Sequence, residues 1–529
     1  MRISPSRLSG GFLSILIFLI LHGPSVELAL VTAAPLSSEK IKAFRGELGD
    51  ALSASRIRGA SITWISGKED EPAHFFDWGH SDNENQHEVT RATPFRAGSI
   101  SKLIVSLLAL RAAEAGTIAL NQPVESELGV VFSPRPSEDV TLAQLLEHTS
   151  GLAGSSYREY AANIRALSPS SYVEENSPFS LRWEPGWHYS YSNPGYTVAG
   201  AFLEVATGIP FDELMAQEIF KPLEMARSHF CGSRSSTENH DDLISFEDDG
   251  RTLTRRWEMP VRPAGALVTT SEDLSKLIRT LLHSSAPDSG EPFLSNDSIA
   301  RLHSGKTSAA ARSGLESGSY GLGNFGFVAS GHLFRGHWGR TEGYQATLGY
   351  LPEDGRGFAI LANTADRRGM NKIREMIASF LTSDLIDPLA KTSERKADPL
   401  DKAFNGLYVN HSHDMPIRAW LFALLDARSI ESAEGGFTSD PANGLGETRT
   451  YRGISGKRFH DLNLPVPTAT FFEKEGELFF ADGESFRRIP RSEYYGSLFL
   501  FLGGLFFAGF LTLSLIGSLV KEVVVRFRR

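Results

Sequence analysis

Phe95-Arg96-Ala97-Gly98-Ser99-Ile100-Ser101-Lys102 runs without a break into Leu103-Ile104-Val105-Ser106-Leu107-Leu108-Ala109-Leu110-Arg111-Ala112-Ala113-Glu114-Ala115, and the run stops at Gly116. This reads as an amphipathic helix opened by Ser99, with Gly116 suited to its C-terminal cap. Helical positions three apart are neighbours, so the amine of Lys102 can reach the hydroxyl of Ser99. A serine hydroxyl is a poor nucleophile until a base takes its proton. A helix N-terminus adds unpaired amide donors and a positive dipole, which suit a developing oxyanion. Taken alone, the pattern fits an N-cap serine and a surface lysine better.

Two further segments carry the same kind of chemistry. Trp183-Glu184-Pro185-Gly186-Trp187-His188-Tyr189-Ser190-Tyr191-Ser192-Asn193 precedes a helix expected from Gly195. Tyr191 and Asn193 alternate along this loop, so both can face one cleft. Positive charge beside a phenol favours its deprotonated form, and an Asn amide can donate to a substrate carbonyl. An aromatic turn packed on the core is the other reading. The third segment, Gly336-His337-Trp338-Gly339-Arg340-Thr341-Glu342-Gly343-Tyr344, leads into an alternating strand. Its glycines permit close backbone approach, and the amide after Gly339 can supply a second oxyanion donor. His337 can position a carboxylate or aid proton transfer, or be structural.

Together, S-I-S-K, Y-S-N and H-W-G resemble, in order and spacing, the three active-site elements of the serine β-lactamase-like and penicillin-binding protein family, nearest the class C type. Glu147-His148-Thr149-Ser150-Gly151-Leu152, Pro263-Ala264-Gly265-Ala266-Leu267 and Tyr320-Gly321-Leu322-Gly323 match supporting stretches. The resemblance covers about residues 40–385. It implies an α/β fold, an antiparallel sheet flanked by helices plus an all-helical region, and an acyl-enzyme mechanism without a cofactor or metal. By the same resemblance Ser99 is the nucleophile, Lys102 its partner base, and Tyr191 the general base and acid. Asn193, His337, Gly339 and Arg340 bind substrate, with the amides of Ser99 and Arg340 forming the oxyanion hole. His337 stands where many relatives carry the lysine of a K-T-G element, a departure shared by esterase and peptidase branches. Trp338 is bulkier than the usual residue at its position. The His148–Leu152 turn is expected to shape the loop and carries no chemistry of its own. The implied substrates are D-amino-acid peptides, small esters or β-lactams. A β-lactamase proper, a penicillin-binding sensor that barely turns over, and an inactive scaffold are the rivals.

Outside these motifs the patterns are coarser. Residues 38–56 read as an exposed helix and Ala60–Ile65 as a strand. Helices are expected over Leu142–Glu147, Gly195–Thr207, Phe211–Phe220, 272–283 and about 369–381. Strands are expected at Phe325–Val328, Leu333–Phe334, Tyr344–Tyr350 and Phe358–Asn363. Strands at both ends of a helical middle suggest a mixed sheet with a helical region beside it. The domain reading is a hydrolase domain over 36–385, a linker over 386–402 and a small β-rich domain over 403–490, with Asp482-Gly483 as a hairpin signal. Gly305-Lys306-Thr307 resembles the end of a phosphate-binding loop, but Ala300 stands where its first glycine is required. His411-Ser412-His413-Asp414 reads as a polar loop rather than a metal site, and Trp420–Leu425 as core of the second domain.

Composition sets outer bounds. The 529 residues are 41% hydrophobic, with 53 Lys+Arg against 63 Asp+Glu, a formal charge of −10. That balance speaks against a nucleic-acid partner. One cysteine, Cys231, excludes an internal disulfide and cysteine-based zinc or iron–sulfur sites. Residues 1–34 read as a signal peptide: Arg2 and Arg7, then an apolar core at Phe12–Leu21, too short to span a bilayer. Gly496 to Val520 is an uncharged apolar run that rises about 37 Å as a helix, enough to span with tilt. The expectation is a transmembrane helix over 495–520 with Tyr494 and Tyr495 at its outer border. Residues 521–529 would form a cytoplasmic tail, leaving a single-pass membrane protein with its catalytic domain outside. The oligomeric state is open.

Overall fold

In the computed structural model the described residues are 37–67, 71–82, 87–152, 154, 167–231, 245–247, 251–253, 259–285, 292–315, 320–386, 400–410, 426–443, 447–455, 457–461, 468–482 and 485–499. Two folded parts follow one another along the chain.

The first is built on a six-stranded antiparallel sheet. Gly59–Ser66 lies between Arg356–Ala362 and His74–Gly79, and Gln345–Leu351, His332–Arg340 and Phe325–Ala329 follow on the far side. Ile62 faces Ile360 and Leu348 faces His337. Gly59–Ser66 and Arg356–Ala362 are buried along their whole length. That burial explains their near-continuous apolar character, since both faces are covered. One face receives the helices Ser38–Ser53 and Arg367–Thr382, through a core containing Phe44, Ile62, Trp64, Ile360 and Ile377. The first of these helices was expected to be exposed. It instead buries Phe44, Leu48, Ala51 and Leu52, and Phe44 stacks on Phe380 at 4.0 Å.

The other face receives the central helix Ile100–Glu114 and the helical region. Ile100 through Leu110 are all buried. The helix is therefore enclosed on every side, not amphipathic as expected; burying each Leu or Ile side chain contributes about 1.5–3 kcal/mol. Gly116 lies just past its cap at φ 73°, a conformation glycine adopts without penalty. Beside it packs Asn193–Thr207, which is started by the Ser192 side chain accepting from the Gly195 amide at 3.1 Å. Residues 296–303, which lead to Gly305-Lys306-Thr307, are helical, as the rejection of a phosphate loop requires.

The second part is a closed barrel of eight antiparallel strands between Gly406 and Ile489. Gly406–Asn410 pairs with both Arg428–Ala433 and the last strand, Ser485–Ile489, which closes the ring. Its interior is filled by Tyr408, Phe437, Tyr451, Phe459, Phe471, Phe480 and Phe486. Glu477–Ala481 and Ser485–Ile489 form the hairpin expected at Asp482.

Residues 1–34 and 500–529 lie outside the described residues, as do His411–Asp414, Trp420–Leu425 and most of the linker. Among the described residues no helix is long and apolar enough to cross a membrane. Residues 491–499 are helical. Tyr494 is buried against Leu407, Val409, Ala427 and Ile489 at the end of the barrel, so it is not available to a headgroup layer; Tyr495 is exposed.

Candidate active site

Lys102 joins two of the three motifs. Its Nζ donates to Ser99 Oγ at 3.1 Å, to Asn193 Oδ1 at 2.8 Å and to the Ala264 carbonyl at 2.6 Å. The side chain is fully buried, and Nζ lies 4.7 Å from the centre of the Tyr191 ring. An ammonium can donate to all three of these acceptors; the neutral amine donates to two of them and keeps a lone pair for the serine proton. A buried charge with this many partners is tolerated where an isolated one is not. The Oγ–Nζ contact is the path by which the serine proton can leave.

Ser99 precedes the first helical turn at φ −66°, ψ −2°, and its side chain makes no capping bond. The hydroxyl is thus not spent on the helix end, which N-cap serines ordinarily satisfy. The strand His332–Arg340 passes close to it. A Cβ on Gly339 would lie 1.8 Å from the Ala97 carbonyl oxygen and 3.0 Å from the Ser99 amide nitrogen. Gly98 lies at φ +54°, and a Cβ there would stand 2.7 Å from the Arg340 nitrogen. Glycine at both places lets the turn at Ser99 and the strand at Arg340 pack backbone against backbone, and paired backbone amides at such a place can hold an oxyanion. Arg340 and Trp338 point their side chains away, both exposed, with Trp338 stacked on Phe325 at 4.4 Å.

His337 faces the same side of the sheet as Leu348 and is buried. Its Nδ1 lies 2.6 Å from the Trp338 carbonyl oxygen, so Nδ1 carries the proton and donates. Nε2 then accepts from the Tyr320 hydroxyl at 3.0 Å. Burial first, and the Lys102 charge second, push the ring down to about 3. His337 is therefore neutral, with both nitrogens used inside the protein; it offers no charge to a substrate carboxylate in this arrangement.

The turn Glu147–Leu152 holds the Tyr191 loop. The Glu147 carboxylate is ion-paired with Arg301 and accepts from the amides of Lys306 and Thr307 at 2.8 and 2.7 Å. The Thr149 carbonyl accepts from Gly186, and that of Gly151 from Arg182. Tyr196 donates to the Leu146 carbonyl at 2.5 Å. On its other side the loop meets the barrel: Trp187 packs with Ala309, Ala310, Leu315, Phe472 and Phe479, and Lys474 Nζ sits 4.1 Å from its ring.

The structure thus brings Ser99, Lys102, Tyr191, Asn193, Gly339, the Arg340 amide and His337 around one point. Sequence reading did not assign roles to Ala264, Tyr196 or Tyr320. Ala264 and Tyr320 did lie in stretches already matched to the family, which was the available signal.

A sequence profile described as Beta-lactamase matches residues 47–380. Penicillin-binding protein 4 of Amycolatopsis lactamdurans is 24% identical over 284 residues, covering 52% of this chain and 73% of that protein. Other curated relatives are spanned over as little as 44% of their length. Among solved structures, the octameric penicillin-binding protein homologue from Pyrococcus abyssi superposes with a TM-score of 0.55 at 19% identity, over 85% of this chain and 100% of that one. D-amino acid amidase from Ochrobactrum anthropi SV3, complexed with L-phenylalanine, gives 0.55 at 19% identity over 65% and 99%. The chain belongs to the Beta-lactamase family and shares the fold of its penicillin-binding members. It is a serine hydrolase of that family.

Proposed function

We propose that Ser99 forms an acyl-enzyme with amide or ester substrates. Ser99 Oγ attacks the carbonyl carbon, and its proton passes through Lys102 and Tyr191 to the leaving nitrogen or oxygen. The amides of Ser99 and Arg340 hold the oxyanion, and Asn193 orients the substrate carbonyl. Water then attacks the acyl carbon and gives up a proton that passes through Tyr191 and Lys102 to Ser99 Oγ as the acyl–Oγ bond breaks, releasing the acid and restoring the serine. The observation that carries this reading is the bond set of Lys102 Nζ to Ser99 and Asn193, which unites motifs 91 residues apart. The neutral, internally bonded His337 supports esters and uncharged amides over a strict β-lactamase role. The fold shared with a D-amino acid amidase supports D-amino-acid amides as the first substrates to try. Export and a C-terminal membrane tether belong to the same proposal, supported by the sequence of the two chain ends.

The test is covalent labelling. A fluorophosphonate or fluorescent penicillin should modify Ser99, mapped by mass spectrometry, and Ser99→Ala should lower turnover of a D-amino-acid amide or small ester by at least about 10³-fold. Labelling at another serine, unaffected by Ser99→Ala, sinks the assignment. Trapping without turnover in the same panel turns the reading into a penicillin-binding sensor.

A further inference from the structure

His148 sits in the turn at φ 58°, left-handed backbone for a non-glycine residue, and is buried. Its carbonyl accepts from the Ser190 amide at 2.7 Å, and its ring Nδ1 accepts from the Ser192 amide at 3.0 Å. The two bonds fall on either side of Tyr191. The ring also lies 4.2 Å from the Tyr191 ring, centre to centre, with Tyr196 at 5.1 Å and Tyr320 at 4.8 Å around it. Because an amide N–H can only donate, Nδ1 is unprotonated and the proton of the neutral ring is on Nε2. Ser192 is also the N-cap of the helix whose first residue is Asn193. One side chain therefore fixes the loop residue on which both Tyr191 and Asn193 depend.

We infer that His148 is a positioning residue for the reaction: through Nδ1 to the Ser192 amide and its ring against Tyr191, it sets where the Tyr191 phenol and the Asn193 amide stand relative to Ser99. The inference rests on the assignment of Tyr191 and Asn193 made above. His148 touches no reacting atom. Its own place is fixed independently, since the neighbouring Glu147 is anchored to Arg301, Lys306 and Thr307. Burial first, and the facing Lys102 charge second, hold the ring well below its ordinary titration range, which keeps Nδ1 an acceptor. Displacing an active-site group by about 1 Å from a remote contact can cost about 100-fold in rate.

The amide oxygen of asparagine can occupy the place of Nδ1, and asparagine accepts left-handed backbone readily. Glutamine places its polar atoms one bond further out, and phenylalanine keeps a ring without an acceptor. His148→Asn should retain the maximal rate of Ser99 labelling by fluorophosphonate (kinact) within about fivefold. His148→Gln and His148→Phe should lose about 100-fold in kinact with the half-saturating concentration unchanged within about threefold. Equal rates in the asparagine and glutamine variants, whether high or low, overturn the inference. Failure of the wild type to label at Ser99 instead overturns the functional reading beneath it. Where His148→Gln and His148→Phe do not fold, nitrogen-15 histidine spectra of the wild type decide, with the His148 ring identified by its loss in His148→Asn. A proton on Nε2 with Nδ1 bare upholds the inference, and a proton on Nδ1 overturns it.

Discussion

At the scale of single residues, His337 shows how burial decides what a motif residue can offer. Its position in H-W-G suggested a group for a carboxylate, yet Tyr320 and the Trp338 carbonyl take both of its nitrogens. The consequence for stability has a definite sign. Unfolded, the ring titrates near 6.5; folded, it is held at about 3. The neutral ring is the form the fold accepts, so this contribution is whole above about pH 6.5 and is lost as pH falls toward 3. From pH 7.5 to 5 the loss through His337 alone is about 2 kcal/mol. His148 and His303 are lowered too, His303 to about 4, and add to the same fall. Urea unfolding at pH 7.5, 6 and 5 should show the decline, with a smaller slope in His337→Asn. Equal slopes would mean that the ring titrates alike in the folded and unfolded states. Ser99 and Lys102 were legible beforehand because their meeting is local helix geometry. The bonds of His148 and Tyr320 were not, because they join residues 44 and 17 positions away whose approach only tertiary packing creates.

Among elements, the decisive contact is between the strand His332–Arg340 and the turn at Gly98-Ser99. Gly339 has no room for a methyl: the Ala97 oxygen would be 1.8 Å from it, well inside contact distance. Gly339→Ala must push the strand outward and separate the Arg340 amide from that of Ser99. Loss of one oxyanion donor typically costs about 10²–10³ in rate. Ser99 labelling in Gly339→Ala should slow by that factor, while the remaining contacts of a strand paired with Gln345–Leu351 keep the domain folded. Labelling at the wild-type rate would place the oxyanion elsewhere. The glycines of the segment around H-W-G had signalled a close approach, but which backbone approached was not readable. The central helix was legible in extent and not in burial, since its serines and Lys102 imitate a polar face. Of the barrel, only the aromatic strands near 406, 469 and 477 stood out. Strands such as Arg428–Ala433 and Arg449–Ser455 mix charges with few apolar residues, and what holds them is the closed ladder.

In the whole molecule, the barrel is seated against the loop that carries the proposed base. Phe472 and Phe479 of one barrel hairpin cover Trp187, Ala309, Ala310 and Leu315, and Thr470 Oγ1 donates to the Ser313 carbonyl at 3.3 Å. Trp187 is four residues before Tyr191, and Phe479 also meets the His188 ring at 5.6 Å. Removing the barrel would return this apolar surface to water and free one side of the loop, at about 1.5–3 kcal/mol for each large side chain re-exposed. The apolar run beyond Gly496 plays a different part, that of the proposed tether, and Tyr494 marks where the barrel's own packing stops. Two truncations separate these roles. A chain ending after Gly496 keeps Tyr494 in place and should be soluble, with Ser99 labelling at the full-length rate, while the full-length chain should need detergent for extraction. A chain ending after Ile386 should aggregate, or label at least about tenfold more slowly. Full-length protein in the salt-soluble fraction would refute the tether. Wild-type labelling in the chain ending after Ile386 would show that the Tyr191 loop holds its place without the barrel.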